Sequence, residues 1–203
     1  ETAFGIPVTV ENDCNMIAVA LRARDPERYG ENLIAVLLSN GIGMGLIQRG
    51  QLFTGSHSSG GEFGHMIHIP DGAQCRCGRR GCVETFLSGP ALERDHALQT
   101  ATSGTRLSAA AIADAASAGD AAAKATLERY CDRLARALAS IINVLNPDAI
   151  VLGGGVSNVA RLYEDVPRVW GDYVFSDTVT TRLLRAKHGD SSGVRGAAWL
   201  WTD

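Results

Sequence analysis

No stretch of this 203-residue sequence stays apolar for the roughly 18 residues that a membrane-crossing helix requires; Gly, Asn or charge interrupts every apolar run. Positive charge is in no excess either. Nineteen Lys and Arg stand against 22 Asp and Glu, a net charge of -3, so the chain has no basic footprint for nucleic acid. No internal repeat is present. Residues 1–9 hold no signal peptide, no Arg-rich transit sequence and no initiator Met. Because 6–10 already read as a strand in mid-fold, we expect the later part of a longer, cytoplasmic protein. What is there is ordinary for a soluble globular domain: 45% hydrophobic and 20% charged residues exclude disorder, collagen and a coiled coil. The length suits one large domain or two small ones.

Strands alternate with helices after an early meander, which gives an α/β class. The residues predict a short strand over 8–10 and a helix over 14–24 capped by Asp13. A buried strand over 32–38 follows, with Leu33, Ile34, Val36, Leu37 and Leu38. Gly41-x-Gly43-x-Gly45 separates it from a second strand over 46–48, and Arg49-Gly50 turns the meander into 51–53. Ser108 caps a helix opening at 109, and Ala-rich 109–125 reads as a packed helical pair rather than a linker. A long helix over 121–145 carries Leu127, Leu134, Leu138, Ile141 and Ile142 at helical spacing until Pro147-Asp148 stops it. A strand over 149–152 feeds Gly153-Gly154-Gly155 and a helix through 163, and a last helix spans 194–201.

The segment 57–82 is irregular and too long for a casual loop, so it is functional or metal-braced. Three of the five cysteines, Cys75, Cys77 and Cys82, crowd into it, while Cys14 and Cys131 stand alone. A C-x-C-x4-C cluster without a signal peptide points to metal in a reducing cytosol rather than to disulfides. With His65 in Gly-Glu-Phe-Gly-His, the three thiols make a Cys3His set of the kind that holds structural Zn2+. Gly78 and Gly81 allow the tight turns, and Arg76, Arg79 and Arg80 would offset thiolate charge. Three buried thiols or a redox pair are the competing readings, and His57 or His68 the competing fourth ligands.

Asp13 stands between a strand and a helix, as a plain cap or as a carboxylate facing a cleft, where it would accept a hydroxyl proton. Glu62 and Glu84 bracket the cysteine loop, and each can accept several hydrogen bonds from vicinal hydroxyls. Gly41, Gly43 and Gly45 can bring backbone N–H groups to phosphate oxygens. Gly153, Gly154 and Gly155, between a strand and a helix, are either a nucleotide-facing helix start or a tight turn.

Together, Gly61-Glu62-Phe63-Gly64-His65 and Cys75-Arg76-Cys77-Gly78-Arg79-Arg80-Gly81-Cys82-Val83-Glu84-Thr85 resemble the signature of the ROK family of bacterial sugar kinases and sugar-responsive repressors. Glu11-Asn12-Asp13 resembles that family's catalytic segment. Residues 145–155 and 186–201 are similar to ROK fructokinases. The resemblance spans nearly the whole chain. It implies an actin-like ATPase (ribonuclease H-like) fold of two α/β lobes with ligands between them. Residues 1–24 would be the end of the N-terminal lobe and its connecting helix. Residues 25–190 would be the C-terminal sugar- and nucleotide-binding lobe with a zinc loop at 57–85, and 191–203 a helix packing back toward the N-terminal lobe.

The same resemblance implies Asp13 as general base and Asn12, Glu62, His65 and Glu84 as sugar ligands. Structural Zn2+ would sit on His65, Cys75, Cys77 and Cys82, so that His65 serves metal and sugar at once. ATP with Mg2+ would lie near Gly41, Gly43, Gly153, Gly154 and Gly155. The implied partners are a hexose, ATP and further copies in a homodimer or homotetramer, with neither nucleic acid nor membrane.

Two departures matter. The family's Asp-x-Gly-Gly-Thr phosphate loop is not among these residues, so this chain alone is not expected to turn over ATP. Family kinases carry Gly-Thr-Gly where this sequence has Ser39-Asn40-Gly41. Two functions follow: an ATP-dependent hexose kinase, favoured by Asp13 and the fructokinase-like tail, or the sugar-sensing and dimerising part of a repressor, favoured by Asn40.

Overall fold

The structure, a computed structural model, describes residues 5, 8, 10–100, 106–187 and 197–198. Helices α1 (Asp13–Arg24) and α2 (Pro26–Tyr29) lead into β1 (Leu33–Leu38), β2 (Ile42–Gln48) and β3 (Gln51–Phe53). After the long loop come α3 (Glu84–Leu87), α4 (Gly89–Thr100), α5 (Ala109–Ser117), α6 (Ala121–Leu145), β4 (Ala149–Gly153), α7 (Leu162–Val169) and β5 (Arg182–Arg185). The strands form one sheet in the order β3-β2-β1-β4-β5. It is antiparallel across β3-β2-β1 and parallel across β1-β4-β5.

Both faces of the sheet are covered, which is why β1 and β4 read as unbroken apolar runs. Ile34, Val36, Leu38, Ile150 and Leu152 belong to the larger core with Leu127, Leu134 and Leu138 of α6. Leu33, Ala35, Ala149 and Val151 point the other way, onto Ile17, Ala18 and Leu21 of α1. Helix α6 begins where Asp120 Oδ1 accepts from the Ala123 N–H at 2.7 Å. It ends on Asn146 in the left-handed conformation (φ 40°), one residue before Pro147. Asn tolerates that conformation because its side chain is short and polar.

Several expectations are corrected. The helix predicted from 14 starts at Asp13, and its cap is Asn12, whose Oδ1 accepts from Cys14 N at 2.8 Å and Asn15 N at 3.4 Å. Val8 and Val10 lie in no strand, and positions 6, 7 and 9 of the strand predicted over 6–10 lie outside the described residues. Gly153-Gly154-Gly155 is followed by a 3-10 turn (Gly155–Asn158), not by a helix running to 163; α7 starts only at Leu162. Of the helix predicted over 194–201, only Ala197 and Ala198 are described. Helices α2, α3 and α4 and strand β5 have no counterpart among the predicted elements.

The largest correction concerns Gly41-x-Gly43-x-Gly45. β2 starts at Ile42 rather than at 46, so Gly43 and Gly45 lie inside a strand. Opposite them across β1 stand Leu37 and Ala35. A Cβ on Gly43 would come within 2.4 Å of Cys14 Sγ, and one on Gly45 within 2.2 Å of the Cys14 carbonyl oxygen. The glycines therefore form a seat into which the first turn of α1 sinks. Substituting Gly45→Ala is expected to destabilise the protein by about 1–3 kcal/mol through overpacking. Urea denaturation would show a lower midpoint at unchanged slope; parental stability would mean that α1 does not need this seat.

Candidate functional site

A cleft of about 380 Å³ opens where β1 ends and β2 begins. It lies outside the carboxyl ends of the parallel strands, where open α/β sheets bind ligands. Asn12, Asp13 and Cys14 form one wall, Leu37, Ser39, Gly41 and Gly43 the floor, and Gly61, Glu62, His65 and Arg76 the opposite wall. Asn12 and Asp13 from one segment and Glu62 and His65 from another are thereby brought to one cavity.

The α1 wall is tied down by local hydrogen bonds. Glu11 Oε1 accepts from Asn12 N and from Asn15 Nδ2, both at 2.8 Å. Asp13 is the first helical residue, and its Oδ1 accepts from Cys14 N at 2.8 Å. Its carboxylate is exposed and stands at the positive end of the helix. Burial, reinforced by the charge of Asp13, pushes the Cys14 thiol up to about 12. Cys14 therefore serves as a small neutral filler over Gly43 and not as a nucleophile.

The opposite wall is built by the cysteine loop. A 3-10 turn (Phe63–His65) turns His65 toward the loop, with buried Phe63 as its anchor. The single-residue bridges Ile67–Cys82 and Gln74–Arg80 close the loop on itself. The ligand-type atoms of His65, Cys75, Cys77 and Cys82 then all lie within 4.8 Å of one another. His65 Nδ1 is 3.6 Å from Cys75 Sγ, and Cys77 Sγ is 3.6 Å from Cys82 Sγ. A tetrahedral Zn2+ with Zn–S bonds of about 2.3 Å needs ligand edges of about 3.8 Å, so residue types and spacing both fit that ion. A backbone hydrogen bond from Arg79 brings the Cys77 thiol down to about 7, while burial raises Cys82 to about 12. His68 faces away, near Asp132, Arg133 and Arg136 of α6, and burial lowers its pKa. Neither His57 nor His68 joins the cluster. His65 belongs to the cluster and to the cleft alike.

The remaining candidates take different places. Glu84 opens α3 and is buried just behind the cleft wall, with its carboxylate facing Arg76 and the Ile42 N–H. Arg76 thus reaches Glu84, where the sequence led us to expect it beside the thiolates. Gly153 and Gly154 stand at the same end of the sheet, but outside the cleft lining. Gly154 has φ +81°, and a Cβ there would meet the Leu38 carbonyl oxygen at 2.4 Å, so it makes a tight turn over β1. Two residues were given no site role by the sequence reading. Ser39 lines the cleft beside the divergent Asn40. Tyr130, wholly buried in α6, donates its hydroxyl to the Leu87 carbonyl at 2.8 Å and so ties the last residue of α3, the single helical turn that Glu84 opens, to α6. Its place on the apolar face of α6 was the only signal, and that signal is shared with every core residue there.

Comparison with known proteins gives a consistent picture. The family model described as "ROK family" matches residues 1–203. The N-acetyl-D-glucosamine kinase of Vibrio vulnificus (strain YJ016) is 35% identical over 210 residues, covering 98% of this chain and 68% of that protein. A ROK family glucokinase from Streptomyces griseus, solved with glucose and AMPPNP, superposes with a TM-score of 0.85 at 28% identity, covering 98% of this chain and 70% of that one. A ROK family transcriptional regulator, a homolog of the E. coli MLC protein, superposes with a TM-score of 0.84 at 28% identity, covering 97% and 52%. The sheet and its helices are those of the actin-like ATPase α/β fold shared by these structures. On its motifs, its fold and the family match over residues 1–203, this chain belongs to the ROK family.

Proposed function

We propose that this chain carries the sugar-binding, zinc-braced part of an ATP-dependent hexose kinase. The observation that carries the reading is His65: one imidazole shared between a Cys3His cluster and a cleft that also receives Asp13, Asn12 and Glu62. In this reading a sugar hydroxyl attacks the γ-phosphorus of ATP, ADP leaves, and Asp13 takes the hydroxyl proton. Asn12, Glu62 and His65 orient the sugar, and Glu84 contributes from behind the wall. Zn2+ would be structural: it would lock the loop and fix the imidazole so that its other edge serves the sugar. Mg2+ would shield the phosphate charge. The glycine turn at Gly153, Gly154 and Gly155 and the β1–β2 turn at Gly41 are the backbone features on the nucleotide side of this reading. We place the substrate among glucose-type aldohexoses, glucose or N-acetylglucosamine, ahead of fructose. Support comes from the names of the 35%-identical relatives and of the glucose-bound neighbour; most of the fructokinase-like tail lies outside the described residues.

A second reading, the sugar-sensing part of a repressor, is favoured by Ser39-Asn40-Gly41 and by the shared frame of the transcriptional regulator. A coupled assay of ATP consumption on the full-length protein with glucose, N-acetylglucosamine and fructose separates the two. Turnover with one of them supports the kinase. Hexose binding without turnover supports the sensor.

In the full-length protein, Asp13→Asn is expected to lower kcat by about 10²–10⁴-fold, the range for loss of a general base, with hexose affinity nearly unchanged by calorimetry. Near-parental turnover would remove Asp13 from that role. Elemental analysis is expected to find one zinc per chain and to find it lost in Cys77→Ser, with a lower thermal midpoint. Protein prepared without chelators that holds no zinc would reject the metal.

A further inference from the structure

Arg76 lies between two cysteines of the cluster, yet its guanidinium crosses to Glu84. Nε is 3.0 Å from Oε1, and Nη2 donates to Oε2 at 3.2 Å. Oε2 also accepts from the Ile42 N–H at 3.1 Å. The Glu84 side chain is 10% exposed, whereas that of Arg76 is 73% exposed and lines the cleft. The β1–β2 turn closes tightly around the pair: a Cβ on Gly41 would stand 2.9 Å from Glu84 Oε2 and 3.2 Å from Arg76 Nη2.

A carboxylate offers about four lone-pair directions. Two of those on Oε2 and one on Oε1 are engaged, so the free one belongs to Oε1. A buried carboxylate without a partner is costly and loses its fixed orientation, and a planar fork binds it in a way that a Lys ammonium does not reproduce. We propose that Arg76 is a sugar-positioning residue, which holds the Glu84 carboxylate in one orientation and leaves it a single acceptor site for a substrate hydroxyl. This rests on the reading of the cleft as a hexose site. It gives the residue between the metal ligands a role distinct from holding metal: the cysteine loop carries on one short turn both the cluster and the arm that sets Glu84.

The test uses the full-length protein and four variants: Arg76→Ala, Arg76→Lys, Glu84→Gln, and Arg76→Ala combined with Glu84→Gln. Hexose affinity is read by calorimetry, KM and kcat by steady-state assay, and zinc by elemental analysis. Arg76→Ala is expected to weaken hexose binding about tenfold or more, the scale of a lost charge-assisted hydrogen bond. The loss should be carried by KM more than by kcat, with the zinc content of the parent retained. Arg76→Lys should restore part of it. Glu84→Gln should weaken binding to a similar extent, and adding Arg76→Ala to it should change affinity less than about twofold, because the second residue acts through the first. Additive losses, parental affinity in Arg76→Ala, or zinc lost together with affinity would each overturn the proposal. If the parent protein binds no hexose at all, the reading of the cleft falls and takes the proposal with it; parental affinity in Arg76→Ala beside a hexose-binding parent sinks the proposal alone.

Discussion

The architecture of the cleft depends on how closely the first turn of α1 approaches β2. Gly43 and Gly45 leave no side chain between strand and helix, and Cys14 fills the space with a neutral thiol. Any larger residue in that seat would lift the helix from the sheet. The helix start carries Asn12 and Asp13, so the packing distance between two backbones sets where the carboxylate stands. Gly43 and Gly45, whose spacing resembles a phosphate loop in the sequence, also serve helix packing, and through it they place the proposed base.

The opposite wall follows a different logic. The cysteine loop has little regular structure, and its order comes from two single-residue bridges, a buried Phe63 and the convergence of three thiols with an imidazole. A loop of this kind gains rigidity from a cation that replaces many weak contacts with four strong ones. It presents Glu62, His65 and Arg76 to the cleft. Behind it, Tyr130 holds α3 against α6 and keeps Glu84 at the base of the wall. The Cys3His cluster, the cleft wall and the hydrophobic core are therefore mechanically continuous through the segment from Phe63 to Leu87 and its packing on α6.

Much of the fold was legible in the sequence. The extent of α6 was readable because five apolar side chains repeat at helical spacing ahead of a Pro147-Asp148 stop. β1 and β4 were readable because a strand covered on both faces is apolar throughout. α3 and α4 were not, since Glu84–Leu87 is a single turn and the mixed composition of Gly89–Thr100 shows almost no amphipathic contrast. β5 escaped because Arg-Leu-Leu-Arg is short and its ends are exposed. The true start of β2 was hidden by glycines, whose usual meaning is a turn.

Within the candidate site, residue types and local spacing were enough to mark the three cysteines as a metal cluster, because ligand chemistry is confined to few side chains, whereas Asp13, Glu62 and His65 stood beside plainer readings until the ROK motifs were set against them. Family membership was legible for the same reason, through motifs that are contiguous in sequence. Which of three nearby histidines meets the sulfurs, and that Arg76 turns to Glu84 instead of to the thiolates, were decided only by the folded chain. Those outcomes depend on where the loop closes against β2 and α6, and contacts between segments far apart along the chain leave no periodic or local mark in the order of residues.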